Sequence, residues 1–151
     1  MVKLKRQPRD VMVLLGDLAS AATYVRRSAI IELVEKGAPE ASGPLKSLLH
    51  DREAAIRACA AWALGELKVE DAAPALMQSL KDMDVDVRRA AVLSLAGLAR
   101  PESLEALRAA SVDSDRWVAE GARRGLARLQ KLPLRRRRSP RASAGVGPSA
   151  A

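Results

Sequence analysis

Aromatic side chains are nearly missing from this sequence: 151 residues hold two tryptophans, one tyrosine and no phenylalanine, although 48% of the residues are hydrophobic. A core built without aromatics must come from Ala, Leu, Val and Ile, which suits closely stacked helices better than a sheet. There is one cysteine, Cys59, so no internal disulfide can form, and a reducing compartment, the cytoplasm, is the expected location. No uninterrupted apolar run approaches the roughly 20 residues needed to cross a bilayer. The basic start and short apolar patch of MVKLKRQPRDVMVLLGDLAS are flanked by Asp10 and Asp17 with no small-residue cleavage site, so a signal peptide is not expected. The one histidine, His50, falls at the end of a predicted helix, where such a residue is more often solvated than a ligand. Hydrolytic triads, which depend on histidine, find no support, and no G-x-x-x-x-G-K-[ST] phosphate loop occurs.

The net charge of +8 is unevenly placed. Residues 1–9 carry Lys3, Lys5, Arg6 and Arg9; residues 10–130 carry 16 basic and 18 acidic side chains; residues 131–151 carry Lys131, Arg135 to Arg138 and Arg141. The three stretches therefore sum to +4, −2 and +6. The long middle is nearly neutral, and the basicity lies in a short N-terminal extension and a C-terminal tail whose Arg, Ser, Ala, Gly and Pro have little to bury and are expected to be disordered.

The middle is repetitive. Residues 51–81 and 82–112 align without gaps over 31 positions, placing Asp51 with Asp82, Ile56 with Val87, Arg57 with Arg88, Ala60 with Ala91, Leu64 with Leu95 and Leu76 with Leu107. The period extends backwards through Ser20, Arg26, Leu33 and Leu45 and forwards through Asp113, Val118, Ala122 and Leu126. A fixed period of about 20–50 residues marks a solenoid. Each unit reads as helix, turn, helix. Ser20, Asp51, Asp82 and Asp113 are the expected N-caps of the first helices, and apolar residues follow at helical spacing. Pro39 and Pro101 precede second helices, where a missing N–H costs little. Residues 10–19 fit a lone second helix capped by Asp10, and residues 114–130 a lone first helix. Gly121 and Gly125 are expected to weaken that last helix, and Arg123, Arg124 and Arg128 to make its outer side polar.

The pattern of an Asp start, V/I-R-x-x-A-x-x-x-L, a turn near Pro or an acidic residue, and A-x-x-x-L-x-x-x-L resembles HEAT-like repeats over residues 10–130. The variety of about 31 residues typified by the phycobilisome-lyase HEAT repeats is nearest. The resemblance implies an all-α fold, a right-handed α-solenoid of HEAT-like helical hairpins with about three full repeats and a half-repeat at each end. It also implies first helices outside, second helices lining the concave surface, and Arg26, Arg57 and Arg88 tying neighbouring repeats in a polar ladder. Residue 119 is Ala, so the ladder should stop at the last repeat. The class includes the deoxyhypusine hydroxylase, which holds two irons with paired His-Glu motifs. This chain has no second histidine to complete such a site, and neither enzymatic activity nor a cofactor is expected.

The expected function is a non-catalytic protein–protein interaction scaffold or adaptor that binds a protein segment on the concave face. The expected contacts are Lys46, Ser47, Met77, Gln78, Lys81 and Arg108, with Met77 an adaptable apolar contact and Lys46 and Arg108 pairing with acidic groups. Glu40, Asp71 and Glu102 make that surface mixed rather than basic, which argues against gripping duplex DNA through the solenoid. Cys59 reads as a small buried hydrophobe, Trp62 (in one column with Ile31 and Leu93) as ridge packing, and Trp117 as a cover for the open end or a partner anchor. The tail cluster Arg135, Arg136, Arg137, Arg138 and Arg141 supports an alternative, a nucleic-acid-associated protein or a tether to another polyanion, and Ser139-Pro140 marks a candidate phosphorylation site. A bilin-lyase-like accessory subunit is a second alternative. Dimerisation through the last helix is a further expectation.

Overall fold

A computed structural model describes residues 9–133. These form eight α-helices: α1 (Val11–Asp17), α2 (Thr23–Glu35), α3 (Ser42–Leu48), α4 (Ala54–Glu66), α5 (Ala73–Ser79), α6 (Val85–Leu98), α7 (Leu104–Ala110) and α8 (Arg116–Gln130). First helices α2, α4, α6 and α8 stack on one another, and each second helix α1, α3, α5 and α7 packs against the first helix that follows it. The architecture is an α-solenoid that, among the described residues, begins with a second helix, α1, and ends with a first helix, α8. The core runs down the repeat columns. Leu14, Leu45, Leu76 and Leu107 are fully buried, as are Ala29, Ala60, Ala91 and Ala122, and Ile56, Val87 and Val118. Each truncation of a column leucine would cost roughly 2–5 kcal/mol.

The turns depart from simple helix ends. The second helices α3, α5 and α7 are each preceded by a 3-10 turn, at Pro39–Ala41, Glu70–Ala72 and Pro101–Ser103. Just before each of these, one residue adopts the left-handed conformation: Gly37 (φ 62°), Lys68 (φ 53°) and Ala99 (φ 50°), spaced by the repeat period. At the first two, paired backbone bonds close the helix: Ala38 N–H to Leu33 O (3.0 Å) with Gly37 N–H to Val34 O (2.9 Å), and Val69 N–H to Leu64 O (3.0 Å) with Lys68 N–H to Gly65 O (3.1 Å). This is the helix stop for which glycine is best suited, yet only one of the three positions has it.

The N-cap expectation is corrected. The first helices begin three residues after Ser20, Asp51, Asp82 and Asp113, and their caps are Ala22, Glu53, Asp84 and Asp115. Asp51, Asp82 and Asp113 instead accept from the N–H two residues on, that of Glu53 (2.9 Å), Asp84 (2.9 Å) and Asp115 (2.8 Å). The reason is competition: their carboxylates also receive an arginine from the preceding repeat, so they close a turn rather than a helix end. Asp84 and Asp115 do cap, accepting from Val87 N–H (3.2 Å) and Val118 N–H (3.0 Å).

Three of the first-helix glycines, Gly65, Gly121 and Gly125, are packing devices rather than weaknesses. A Cβ on Gly65 would lie 2.3 Å from the Ser94 hydroxyl, which donates to Ala61 O at 2.8 Å across the α4–α6 contact. One on Gly121 would meet Val92 at 2.8 Å, and one on Gly125 would meet Leu107 at 3.0 Å. The expectation for Gly121 and Gly125 is corrected accordingly: both are buried where α8 crosses its neighbours.

Candidate functional site

A ladder that repeats with the sequence ties each repeat to the next. Arg57 donates through Nη1 to the carbonyls of Asp51 (3.0 Å) and Arg52 (3.3 Å) at the start of its own repeat. Its Nε and Nη2 then reach forward to both carboxylate oxygens of Asp82, at 2.8 and 2.9 Å. Arg88 does the same with Asp82 O, Met83 O and Asp113. Arg26 donates to Ser20 O (2.7 Å) and Ala21 O (3.1 Å) and reaches Asp51 Oδ1 at 3.1 Å. The Arg57 and Arg88 rungs are bidentate and charge-assisted, whereas Arg26 hydrogen-bonds Asp51 through Nη2 alone and its buried Nε has no hydrogen-bond partner; all three side chains are largely buried, so each rung fixes one repeat against the next. Position 119 is Ala, and Arg88 to Asp113 is the last rung among the described residues. A second brace, Arg89 to Asp115 (2.6 Å), flanks that rung.

The carboxyl groups register this. Hydrogen bonding from Arg57 holds Asp82 below the usual carboxylate range. Burial pushes Asp113 up, but Arg88 and the Asp115 N–H outweigh it and leave it low. Arg89 lowers Asp115 to about 2.

Lys46, Ser47, Met77, Gln78, Lys81 and Arg108 lie on the second helices or at their C-terminal ends. Lys46 reaches across one repeat to Asp71 at 2.8 Å. Arg108 pairs within its own helix with Glu105 at 2.9 Å, and Arg100 joins Glu70 (2.6 Å) to Glu102 (3.1 Å) at the same edge. Ser47, Gln78, Lys81 and Arg108 are exposed, while Lys46 and Met77 are half-buried. Lys46, Met77 and Arg108 occupy one repeat column on successive helices. The surface is therefore a row of exchangeable ion pairs interrupted by one thioether, and such exposed pairs contribute on the order of 0–1 kcal/mol each and can be given up to a partner. Arg135, Arg136, Arg137, Arg138, Arg141 and Ser139 lie outside the described residues. Arg9 folds back on the body, donating to Glu32 (2.7 and 3.1 Å), to Asp17 and to Ser28.

His50 is exposed at the end of α3. Cys59 is half-buried, and burial pushes its thiol up against the opposing pull of Arg27, which suits an inert packing residue. Among the described residues no three His, Cys, Asp or Glu side chains converge as metal ligands, and no helix is long and apolar enough to cross a membrane.

One surface was missed by sequence reasoning. Trp62 is not ridge packing: Ile31, Trp62 and Leu93 are 36%, 39% and 63% exposed, an apolar line along the first-helix face. Trp117, 69% exposed, stands beside Leu93 and Arg89 rather than over the open end. The shared column was visible in the sequence, but which side of a first helix faces its neighbours is settled only by the α4–α6 crossing.

The repeat geometry and ladder match a known family. A family model for HEAT repeats matches residues 12–86 and 73–144. The chain belongs to the HEAT-repeat family. Similar solved structures include the CpcE–CpcF complex of phycocyanin lyase from Nostoc, with TM-score 0.72, 23% identity, and coverage of 85% of this chain and 56% of that one. Human deoxyhypusine hydroxylase in complex with glycerol has TM-score 0.70 and 30% identity over 83% of this chain and 45% of that one. An engineered protein has TM-score 0.61 and 23% identity over 80% of this chain and 62% of that one. This HEAT-repeat chain thus spans about half the length of the two natural proteins. No curated protein matches it.

Proposed function

We propose that this HEAT-repeat chain is a non-catalytic adaptor that binds a protein segment along the face formed by α3, α5 and α7. The observation that supports it is an arginine–aspartate rung at each of three repeat boundaries beside a second-helix column whose residues differ at every step, Lys46, Met77 and Arg108. Packing and recognition are thereby carried by separate positions. Met77 provides an adaptable apolar contact. Lys46 and Arg108 exchange Asp71 and Glu105 for carboxylates of the partner, with Ser47, Gln78 and Lys81 along the rim. The similar CpcE–CpcF structure is itself a complex of two chains, which fits a role in assembly, and a single cysteine suits the reducing cytoplasm.

The six basic side chains in residues 131–151 favour a second reading, in which Arg135 to Arg138 and Arg141 attach the chain to a polyanion with steep salt dependence. One experiment separates them. The full chain is immobilised and challenged with lysate of its native host, with and without nuclease. It is compared with Met77→Glu/Arg108→Glu and with a chain carrying Ser at 135–138. A defined protein that survives nuclease, survives the tail substitution and is lost with Met77→Glu/Arg108→Glu supports the adaptor. Capture that disappears with nuclease or with the tail charges refutes it.

A further inference from the structure

The three crossings between successive first helices are built differently, and the first is the loosest. Where α4 crosses α6, Gly65 meets Ser94; where α6 crosses α8, Gly125 meets Ala96 and Gly121 meets Val92. The corresponding positions at the α2–α4 crossing are Val34 with Ala63 and Ile30 with Cys59. Glycine stands at none of these four, and α2 meets α4 over less backbone than either later pair. The rung at this crossing is also the poorest. Arg26 is the most buried of the ladder arginines, its side chain 6% exposed against 20% for Arg57 and 16% for Arg88. Yet Arg57 and Arg88 each make two hydrogen bonds to their aspartates and Arg26 makes one, its Nε lying 3.1 Å from Asp51 Oδ2 without the geometry of a bond. A charge taken out of water and incompletely bonded is poorly compensated. Finally, α2 starts at Ala22 without a side-chain cap, whereas Asp84 and Asp115 cap α6 and α8. Inside the first hairpin the bonding is firmer: Arg9 joins Asp17 at the end of α1 to Ser28 and Glu32 of α2.

We infer that α1 and α2 form one cooperative unit, a lid that opens from the α3–α8 body while that body stays folded. The joint is the α2–α4 crossing, and the chain turns at residues 36–38, where Gly37 sits at a φ of 62°. Opening uncovers Ile30 and Val34 on α2 and Cys59 and Ala63 on α4, apolar surface that the closed stack hides. Folded proteins open in such contiguous units wherever one boundary is weaker than the rest. The Lys46, Met77 and Arg108 column lies wholly on α3, α5 and α7, on the far side of the joint. The adaptor reading and this one therefore stand or fall separately.

The test is amide hydrogen exchange of the full chain, followed helix by helix by NMR at a series of low urea concentrations. Amides of α1 and α2 should exchange at least about tenfold faster than those of α4 and α6, and should share one urea dependence shallower than theirs. The last helix, α8, should exchange as slowly as α6, which separates a weak joint from simple fraying of ends. Asp51→Asn keeps an acceptor for the Glu53 N–H but discharges the rung. It should speed exchange in α1 and α2 by at least about a further tenfold and leave α6 and α7 unchanged. Arg9→Ala should uncouple the unit, so that α1 exchanges faster than α2. Circular dichroism checks that Asp51→Asn folds; if it does not, the parent chain and Arg9→Ala decide. Exchange in α2 as slow as in α4, exchange in α8 as fast as in α2, or separate urea dependences for α1 and α2 in the parent would each overturn the inference. So would an Asp51→Asn effect spread equally over all helices, or an Arg9→Ala chain in which α1 and α2 still exchange together.

Discussion

Replacing Lys68 with glycine should stabilise this protein, although it removes a good helix former from the end of a long helix. Lys68 is exposed and held at a φ of 53°. A left-handed backbone costs an L-residue roughly 1–2 kcal/mol, and glycine escapes that cost while gaining about 0.4–1 kcal/mol of freedom in the unfolded chain. The difference leaves a net gain of about 0.5–1 kcal/mol, which for a domain of this size raises Tm by about 2–5 °C. The column supplies its own control. Gly37, at φ 62° with open space around its Cα, already has the favoured residue, so Gly37→Ala should lower Tm by a similar amount. Ala99→Gly should resemble Lys68→Gly but gain less, because Ala99 is half-buried and loses some packing. The assay is reversible thermal unfolding followed by circular dichroism. A Lys68→Gly chain melting at or below the parent, with Gly37→Ala unchanged, would refute the claim that these turns carry conformational strain.

Arg57→Ala should destabilise by about 2–4 kcal/mol, since it leaves the buried Asp82 carboxylate and two turn carbonyls without their donor; a double-mutant cycle with Asp82→Asn in urea should recover a coupling above about 1 kcal/mol, and simple additivity would contradict the ladder. Because the carboxyls of Asp82, Asp113 and Asp115 are held low in the folded chain, their stabilisation is complete above the ordinary carboxylate value of about 4 and is lost as pH falls towards about 2, the value for Asp115. Melting at a series of acid pH values should show that decline, and Asp82→Asn should flatten it; an unchanged slope counts against the rungs as its source. Gly65→Ala should destabilise by about 1–3 kcal/mol because the new methyl overlaps Ser94, whereas helix propensity alone predicts a gain of about 1 kcal/mol, so the sign of the change in Tm decides between them.

Much of this molecule was legible in the period alone. A repeat of 31 residues states which positions are equivalent, and equivalence is enough to identify the leucine and alanine columns as core and to put Arg26, Arg57 and Arg88 in one column; that this column forms a ladder is what the resemblance to HEAT-like repeats implied. Equivalence does not say what each position touches. Asp51 and Asp82 have the composition of helix caps, yet an arginine from the preceding repeat claims their carboxylates and moves the helix start three residues on. Gly121 and Gly125 are poor helix formers in isolation, and only the close approach of Val92 and Leu107 makes them the residues that fit. Trp62 shares a column with two aliphatic residues, and the crossing of first helices turned that column outward. A groove beside Leu126 is likewise a product of tertiary structure: it opens between α7 and the end of α8. Local periodicity chooses the helices and their faces, but contacts between non-adjacent segments decide which polar groups pair, where backbones approach closely and which apolar surfaces stay open.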